Sequence, residues 1–369
     1  MRVHVVDPSA YTPPYDHSLC AALARSGAEV ELVTSAFAYG AAPAPDGYAV
    51  SERFYRHAAG PPGSKLRLAT KTLEHVPDML AYRRAAAAAD VVHFQWLAVQ
   101  PVDRHLLPRR PTVLTAHDLL PREPRPGQAR AQRRLYDAVD AVVAHSEFGR
   151  RQLVERLGVD AGRVRVIHHG AFEYLAALDG SLPPELVSAE GPVVLFFGLL
   201  RPYKGLDVLL EAWRELSGPR GAAELWIVGR PRMPIEALVR DAPAQVKWVT
   251  RFVSDPELAA CFRRADVVVL PYTQTERFDF SGVLATALAF GKPAVISDVG
   301  GFRELADAGA ARLAAPGNPA ALADALRALL CDTGARARLA EGARAAAAGP
   351  YSWAQAAERT LELYRELLA

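Results

Sequence analysis

Arg201 and Lys204 are the first residues whose type and spacing could do chemistry. They sit in a short connection between an apolar run at 193–197 and a segment in which Leu206, Leu209, Leu210 and Trp213 recur at helical spacing. The run is apolar without alternation, as a strand buried on both faces would be. Gly198 ends it and Gly205 opens the following segment. Strand, cationic loop and helix together make an anion site, because helix N-termini carry unpaired N–H groups and a partial positive charge. The pattern therefore predicts a phosphate cradle, the alternative being a loop with two solvated cations.

A second group is formed by four histidines. His93, His117, His145 and His169 lie at or near the ends of the hydrophobic stretches 90–95, 112–115, 141–144 and 164–167. In an open parallel sheet the carboxyl ends of the strands line one rim. The histidines are expected either to gather at one crevice there or to serve as hydrogen-bonded packing residues. Ser281, ahead of Gly282 and Val283, reads as the N-cap of a helix whose free amides can hold phosphate or sugar oxygens.

The elements that must position these residues come as alternating αβ units. Strands are expected at 3–6 and 30–34 and at the four histidine-bearing stretches. A second series is expected at 193–197, 225–228, 246–249, 267–270 and 294–296. Helices are expected at 19–25, at 66–89 with Pro77 disturbing its middle, and in a terminal set at 318–330, 334–347 and 353–368. The Pro- and Tyr-rich residues 7–18 and the residues 37–48 read as loops. At 369 residues the chain exceeds one ordinary core. The polar stretch 173–191 divides it into domains at 1–175 and 191–352, joined by a linker at 176–190. The fold class is α/β: two doubly wound, Rossmann-like parallel-sheet domains facing across a cleft.

Composition excludes several classes. A net charge of +2 gives no case for nucleic acid. Cys20, Cys261 and Cys331 have no metal-ligand spacing and read as reduced cytosolic thiols. No apolar run is long enough to span a membrane, and the N-terminus lacks a signal-peptide core. No Gly-x-Gly-x-x-Gly or Walker segment is present, which argues against dehydrogenase and NTPase readings.

Several ordered segments carry a family likeness: DVVHFQWL, LTAHDLLP and VIHHGAF in the first half, then FFGLLRPYKGLDVLLEAW, LWIVG, RFVSDPELAACFRRADVVVLPY and SGVLATALAFGKPAVISDVGGFREL. With the closing PYSWAQAAERTLELYRELL, the chain resembles the retaining, family-4 glycosyltransferases of the GT-B fold. The resemblance implies an acceptor-side first domain onto which the final helix, 353–369, packs back. It implies a second domain that holds a nucleotide-diphosphate sugar.

Arg201 and Lys204, with Gly198 and Gly229, would hold the diphosphate and neutralise the leaving nucleotide. Arg251, Phe252 and Val253 would face the base, and Ser281, Gly282 and Val283 the phosphate or sugar. His117 would meet the donor sugar. The family's Glu-x7-Glu is missing, with Phe278 and Thr286 in its places. Glu276 or Asp279 is the candidate replacement for the first carboxylate, and Thr286 for the ribose contact. This subgroup carries a Ser-Gly-Val segment instead.

The implied enzyme is a metal-independent hexosyltransferase. It would move a hexosyl group from a UDP- or GDP-sugar to a hydroxyl acceptor with retention, without a cofactor. A GT-B nucleotide-sugar epimerase and a non-catalytic nucleotide-sugar-binding protein are the alternatives. The basic residues Arg122, Arg125, Arg130, Arg133 and Arg134 either rest weakly against the inner membrane surface of the cytoplasm or are simply solvated.

Overall fold

A computed structural model describes the chain except for residues 41, 98, 122–125, 187–188, 217–222, 274–276 and 278. The chain divides into two compact units. The first comprises Met1–Gly170, Glu276–Asp279 and Trp353–Ala369, and the second Ala171–Thr275 and Phe280–Ser352.

The first unit is built on a seven-stranded parallel sheet. Its strands are β1 (Arg2–Asp7), β2 (Glu29–Thr34), β3 (Ala49–Glu52), β4 (Val91–Phe94), β5 (Thr112–Thr115), β6 (Ala141–Ala144) and β7 (Val164–Val166). Their order is β3-β2-β1-β4-β5-β6-β7, so the winding reverses between β1 and β4. Val5 pairs with Leu32 on one side and with His93 on the other. The central strands β4, β5 and β6 are buried along their whole length, which explains their unalternating apolar sequence. β3 follows the stretch 37–48 read as loop and has no sequence signal of its own; it is an exposed edge strand whose AVSE sequence carries no buried face to read.

The first helix, Pro13–Arg25, begins well before residue 19. Pro13 and Pro14 lie in its first turn, where a missing N–H costs nothing and a fixed φ helps. The long helix Lys65–Ala85 runs through Pro77 and ends in a short 3₁₀ turn at Ala86–Ala88. The terminal helix Trp353–Leu368 packs in this unit. The hydroxyl of its buried Tyr364 lies 2.6 Å from His93 Nδ1, and His93 Nε2 lies 2.8 Å from Thr115 Oγ1. His93 is therefore a packing residue with both nitrogens satisfied.

The second unit carries a six-stranded parallel sheet of β8 (Val193–Phe197), β9 (Glu224–Val228), β10 (Val246–Val249), β11 (Val267–Leu270), β12 (Ala294–Ser297) and β13 (Ala311–Ala314). Its order, β10-β9-β8-β11-β12-β13, is that of dinucleotide-binding sheets. The winding reverses between β8 and β11, and at such a point a crevice opens beyond the strand ends. Leu206, Leu209, Leu210 and Trp213 of the helix Leu206–Leu216 are all buried against this sheet. β13 escaped the sequence reading, because its ARLA is short and half polar. No described helix is long and apolar enough to cross a membrane. Cys20 and Cys261 are buried and Cys331 exposed, all three as free thiols.

Tyr364→Phe deletes the hydroxyl that His93 Nδ1 meets in the core. The expected cost is about 1–3 kcal/mol, read as a lower urea midpoint at unchanged slope. An unaltered midpoint would contradict this role.

Candidate functional site

In the second unit the cationic loop follows β8 at the reversal point. Gly198 has φ +107°, which a side chain resists, and its Cα faces the cation: a Cβ there would meet Lys204 Nζ at 2.8 Å and Val283 Cγ2 at 3.2 Å. The ammonium and the first turn of the helix Gly282–Ala289 therefore converge on one bare glycine. Lys204 is buried, and its Nζ lies 5.1 Å from the centre of the Tyr272 ring. Arg201 is half-buried in the same loop.

The loop is pinned to the segment after β11. Thr273 donates its N–H and its hydroxyl to the Tyr203 carbonyl, at 2.8 and 3.1 Å. Gly205, with φ +67°, backs onto the Pro271 carbonyl oxygen so closely that a Cβ would lie 1.9 Å from it. Gly229 backs in the same way onto the Gly198 carbonyl.

Ser281 occupies the N-cap position but does not cap. Its side chain makes no bond to the helix amides, and its Oγ lies 3.0 Å from the Tyr272 hydroxyl. Among the described residues, the N–H groups of Gly282 and Val283 have no hydrogen-bond partner. They are the orphan donors that every helix N-terminus presents. Thr286 is buried, and its hydroxyl donates to the Gly282 carbonyl at 2.9 Å, so its proton is spent within the helix.

The Arg251 side chain is held by two carboxylates. It forms ion pairs with Glu185 at 2.8 Å and Glu257 at 2.7 Å, and Glu257 completes a capping box with Ser254. Arg251 thus fixes its loop, in which Phe252 is 60% exposed and Val253 is buried.

In the first unit three of the histidines do assemble. His117 Nδ1 lies 3.3 Å from His145 Nε2, and the His145 and His169 rings are 5.3 Å apart. Trp96 stacks on His117 at 4.9 Å, and Tyr15 meets it edge-on at 4.5 Å. The proton pattern follows from the partners. His145 Nδ1–H donates to the Ile167 carbonyl at 2.9 Å, so its Nε2 accepts from His117 Nδ1–H. His117 Nε2 then needs a donor. Gln95 supplies one if its amide is turned over, which also satisfies its otherwise partnerless buried Nε2. Within the array, burial holds His145 and His169 in the neutral form.

Asp279, expected as a sugar-facing carboxylate, is fully buried. It accepts the Ser146 hydroxyl and the His145 N–H, and so supports the start of the short helix Glu147–Arg151. Its oxygens meet this histidine strand at the His145 backbone N–H and the Ser146 hydroxyl. Glu276 lies outside the described residues, as does Phe278. Arg122 and Arg125 are outside them too, while Arg130, Arg133 and Arg134 are exposed on the helix Gln128–Tyr136. Among the described residues no three His, Cys, Asp or Glu are grouped to hold a metal ion.

Comparison with known proteins gives the family and the fold. The family described as Glycosyltransferase Family 4 matches residues 15–171, and the one described as Glycosyl transferases group 1 matches residues 191–332. A D-inositol 3-phosphate glycosyltransferase of Corynebacterium efficiens is 30% identical over 93% of this chain and 87% of its own length. The chain belongs to the family-4 glycosyltransferases.

A GDP-mannose:glycolipid 4-beta-D-mannosyltransferase of Xanthomonas campestris is 34% identical over 50% of this chain and 49% of its own length. The chain spans about half the length of several such curated relatives. Anabaena Alr3699/HepE, solved in complex with UDP-glucose, shares the fold with a TM-score of 0.73. It is 22% identical over 99% of this chain and 100% of its own. The fold is GT-B, with two Rossmann-like sheets.

Within this family-4 chain, sequence reasoning missed Tyr272 and the ring set of Tyr15 and Trp96. Tyr272 had a readable signal, an aromatic residue just past the apolar run of β11. Tyr15 has none, because it sits in a Pro-rich stretch that reads as loop.

Burial pushes the pKa of His145 from the usual 6.5 down to about 4, and those of His93 and His169 to about 3. Below pH 6.5 the unfolded chain takes up these protons while the folded chain does not. Stability is therefore full above about pH 6.5 and falls as pH drops towards 4, by up to about 1.4 kcal/mol per pH unit for each ring. Urea midpoints at pH 7 and pH 5 check this, and a flat profile would contradict the neutral assignment.

Proposed function

We propose that the chain is a retaining hexosyltransferase using a UDP- or GDP-sugar and a hydroxyl acceptor. The observation that carries the reading is the buried Lys204 ammonium over Gly198, beside the open amides of Gly282 and Val283. A diphosphate suits that combination of charge and N–H donors. The names of relatives support the donor class, since they include a GDP-mannose enzyme and a UDP-glucose complex.

Lys204, Arg201 and the helix amides stabilise the negative charge that grows on the departing nucleoside diphosphate. The C1–O bond to the phosphate breaks as the C1–O bond to the acceptor forms on the same face. The acceptor proton passes to a phosphate oxygen, so no protein nucleophile takes part. These fixed cations supply the charge that a metal would otherwise bring, which makes the reaction metal-independent. Phe252, exposed at the β10 end, is the contact for the base. His117 and Asp279 act by position. Asp279 holds the histidine array through Ser146 and His145.

Arg201→Ala and Lys204→Ala should each lower kcat/KM by roughly 10²–10³-fold. The readout is acceptor-dependent release of UDP or GDP from the hexose donor, at the same rate with EDTA present. Undiminished turnover in both variants overturns the proposal, as does isomerisation of the donor with no acceptor.

A further inference from the structure

The first unit holds a second cationic site that the transfer chemistry above does not use. A cavity of about 260 Å³ opens beyond the ends of β1 and β2, walled by Ser9, Ala10, Phe37 and Tyr39 and by Arg67 and Lys71 of the helix Lys65–Ala85. That volume is at the small end of ligand pockets.

The two cations are placed against local stability. They stand four residues apart on one helix face, where like charges repel. They also occupy the N-terminal turns of a long helix with no acid in its first turn, where positive charge opposes the helix dipole. Neither has an ion pair among the described residues. The nearby carboxylates are committed to backbone amides: Asp7 to Ser9, Tyr11 and Thr12, Glu74 to His57, and Asp78 to Tyr55.

Both cations are nevertheless held in place. Arg67 donates to the Ala58 carbonyl at 3.1 Å, and Lys71 Nζ sits 4.6 Å above the Tyr55 ring. Burial, and then the Arg67 charge, push the Lys71 ammonium below the usual lysine range. Among the described residues, the two non-glycine residues with left-handed φ both belong to this place: Ala10 in the wall at +49° and Tyr55 under Lys71 at +55°. Strain of this kind collects at ligand sites.

We propose that this cavity binds the phosphate group of a small phosphorylated acceptor, with Lys71 and Arg67 as its cationic contacts. An anion there relieves the repulsion between the cations and their conflict with the helix dipole. The site is tied to the histidine array by one loop. Ser9 and Ala10 continue to Thr12, whose Oγ1 accepts the Trp96 indole N–H at 2.9 Å, and Trp96 stacks on His117. The assignment of the anion to the acceptor rests on the transferase reading.

The test is thermal unfolding with inorganic phosphate, glucose 6-phosphate or glucose, each with UDP present so that the second unit is occupied. UDP and GDP are also titrated alone. In the unaltered protein both phosphates should raise Tm and glucose should not. Lys71→Ala and Arg67→Ala should weaken phosphate binding about tenfold or more. Lys71→Arg should restore part of it. The nucleotide shift should persist in every variant, which shows that each is folded, and Lys71→Gln replaces Lys71→Ala if that variant does not fold.

Equal phosphate shifts with and without Lys71 and Arg67 overturn the site. Binding to phosphatidylglycerol vesicles with no response to either soluble phosphate overturns the small-molecule assignment. A Lys71-dependent phosphate shift without any nucleotide shift upholds the site and refutes the donor reading instead.

Discussion

A buried lysine held at a glycine is the constraint on which the second unit depends. An ammonium is costly to remove from water, and here it is removed at the one point where a parallel sheet opens for ligands. The surrounding sequence serves that placement. Gly198 leaves room for Nζ, Tyr272 offers a ring face, and Gly205 and Thr273 fasten the loop to the segment after the neighbouring strand. Val283 brings the start of a helix to the same point. Ser281 leaves that helix end open by turning its hydroxyl to Tyr272. Charge, backbone donors and close approach are thus set by the fold before any ligand arrives. Preorganisation of this sort makes electrostatic stabilisation effective, since nothing has to reorient as charge develops.

The first unit solves a different problem with buried polar groups. Its histidines are hydrogen-bonded in sequence, from Ile167 through His145 and His117 to Gln95. Aromatic rings fill the space around them. Asp279 extends this network to the backbone N–H of His145 and the hydroxyl of Ser146. The family's Glu-x7-Glu places carboxylates near this segment of the sequence. In this chain Asp279 serves as an internal support.

The strands and the cationic loop were legible because they are local. A parallel strand buried on both faces reads as a near-continuous apolar run, and β6, β8 and β11 do, while β4 and β5 carry His93, Thr112 and Thr115 among buried apolar residues. β3 and β13 were not legible, since an exposed edge and a half-polar tetrapeptide leave no pattern. The helix Pro13–Arg25 was hidden by prolines, which punctuate most chains but suit a first turn. Among site residues, Lys204 could be found from its loop. The locking of Arg251 by Glu185 and Glu257 could not, because Glu185 lies far off in sequence. The same holds for Asp279, whose partners are more than a hundred residues away.

A crystal structure with UDP or GDP bound measures the central claim directly. The account predicts diphosphate oxygens within hydrogen-bonding distance of Lys204 Nζ and of the Gly282 or Val283 N–H, over the bare Cα of Gly198. A nucleotide whose phosphates lie away from Gly198, with Lys204 touching none of them, would contradict it.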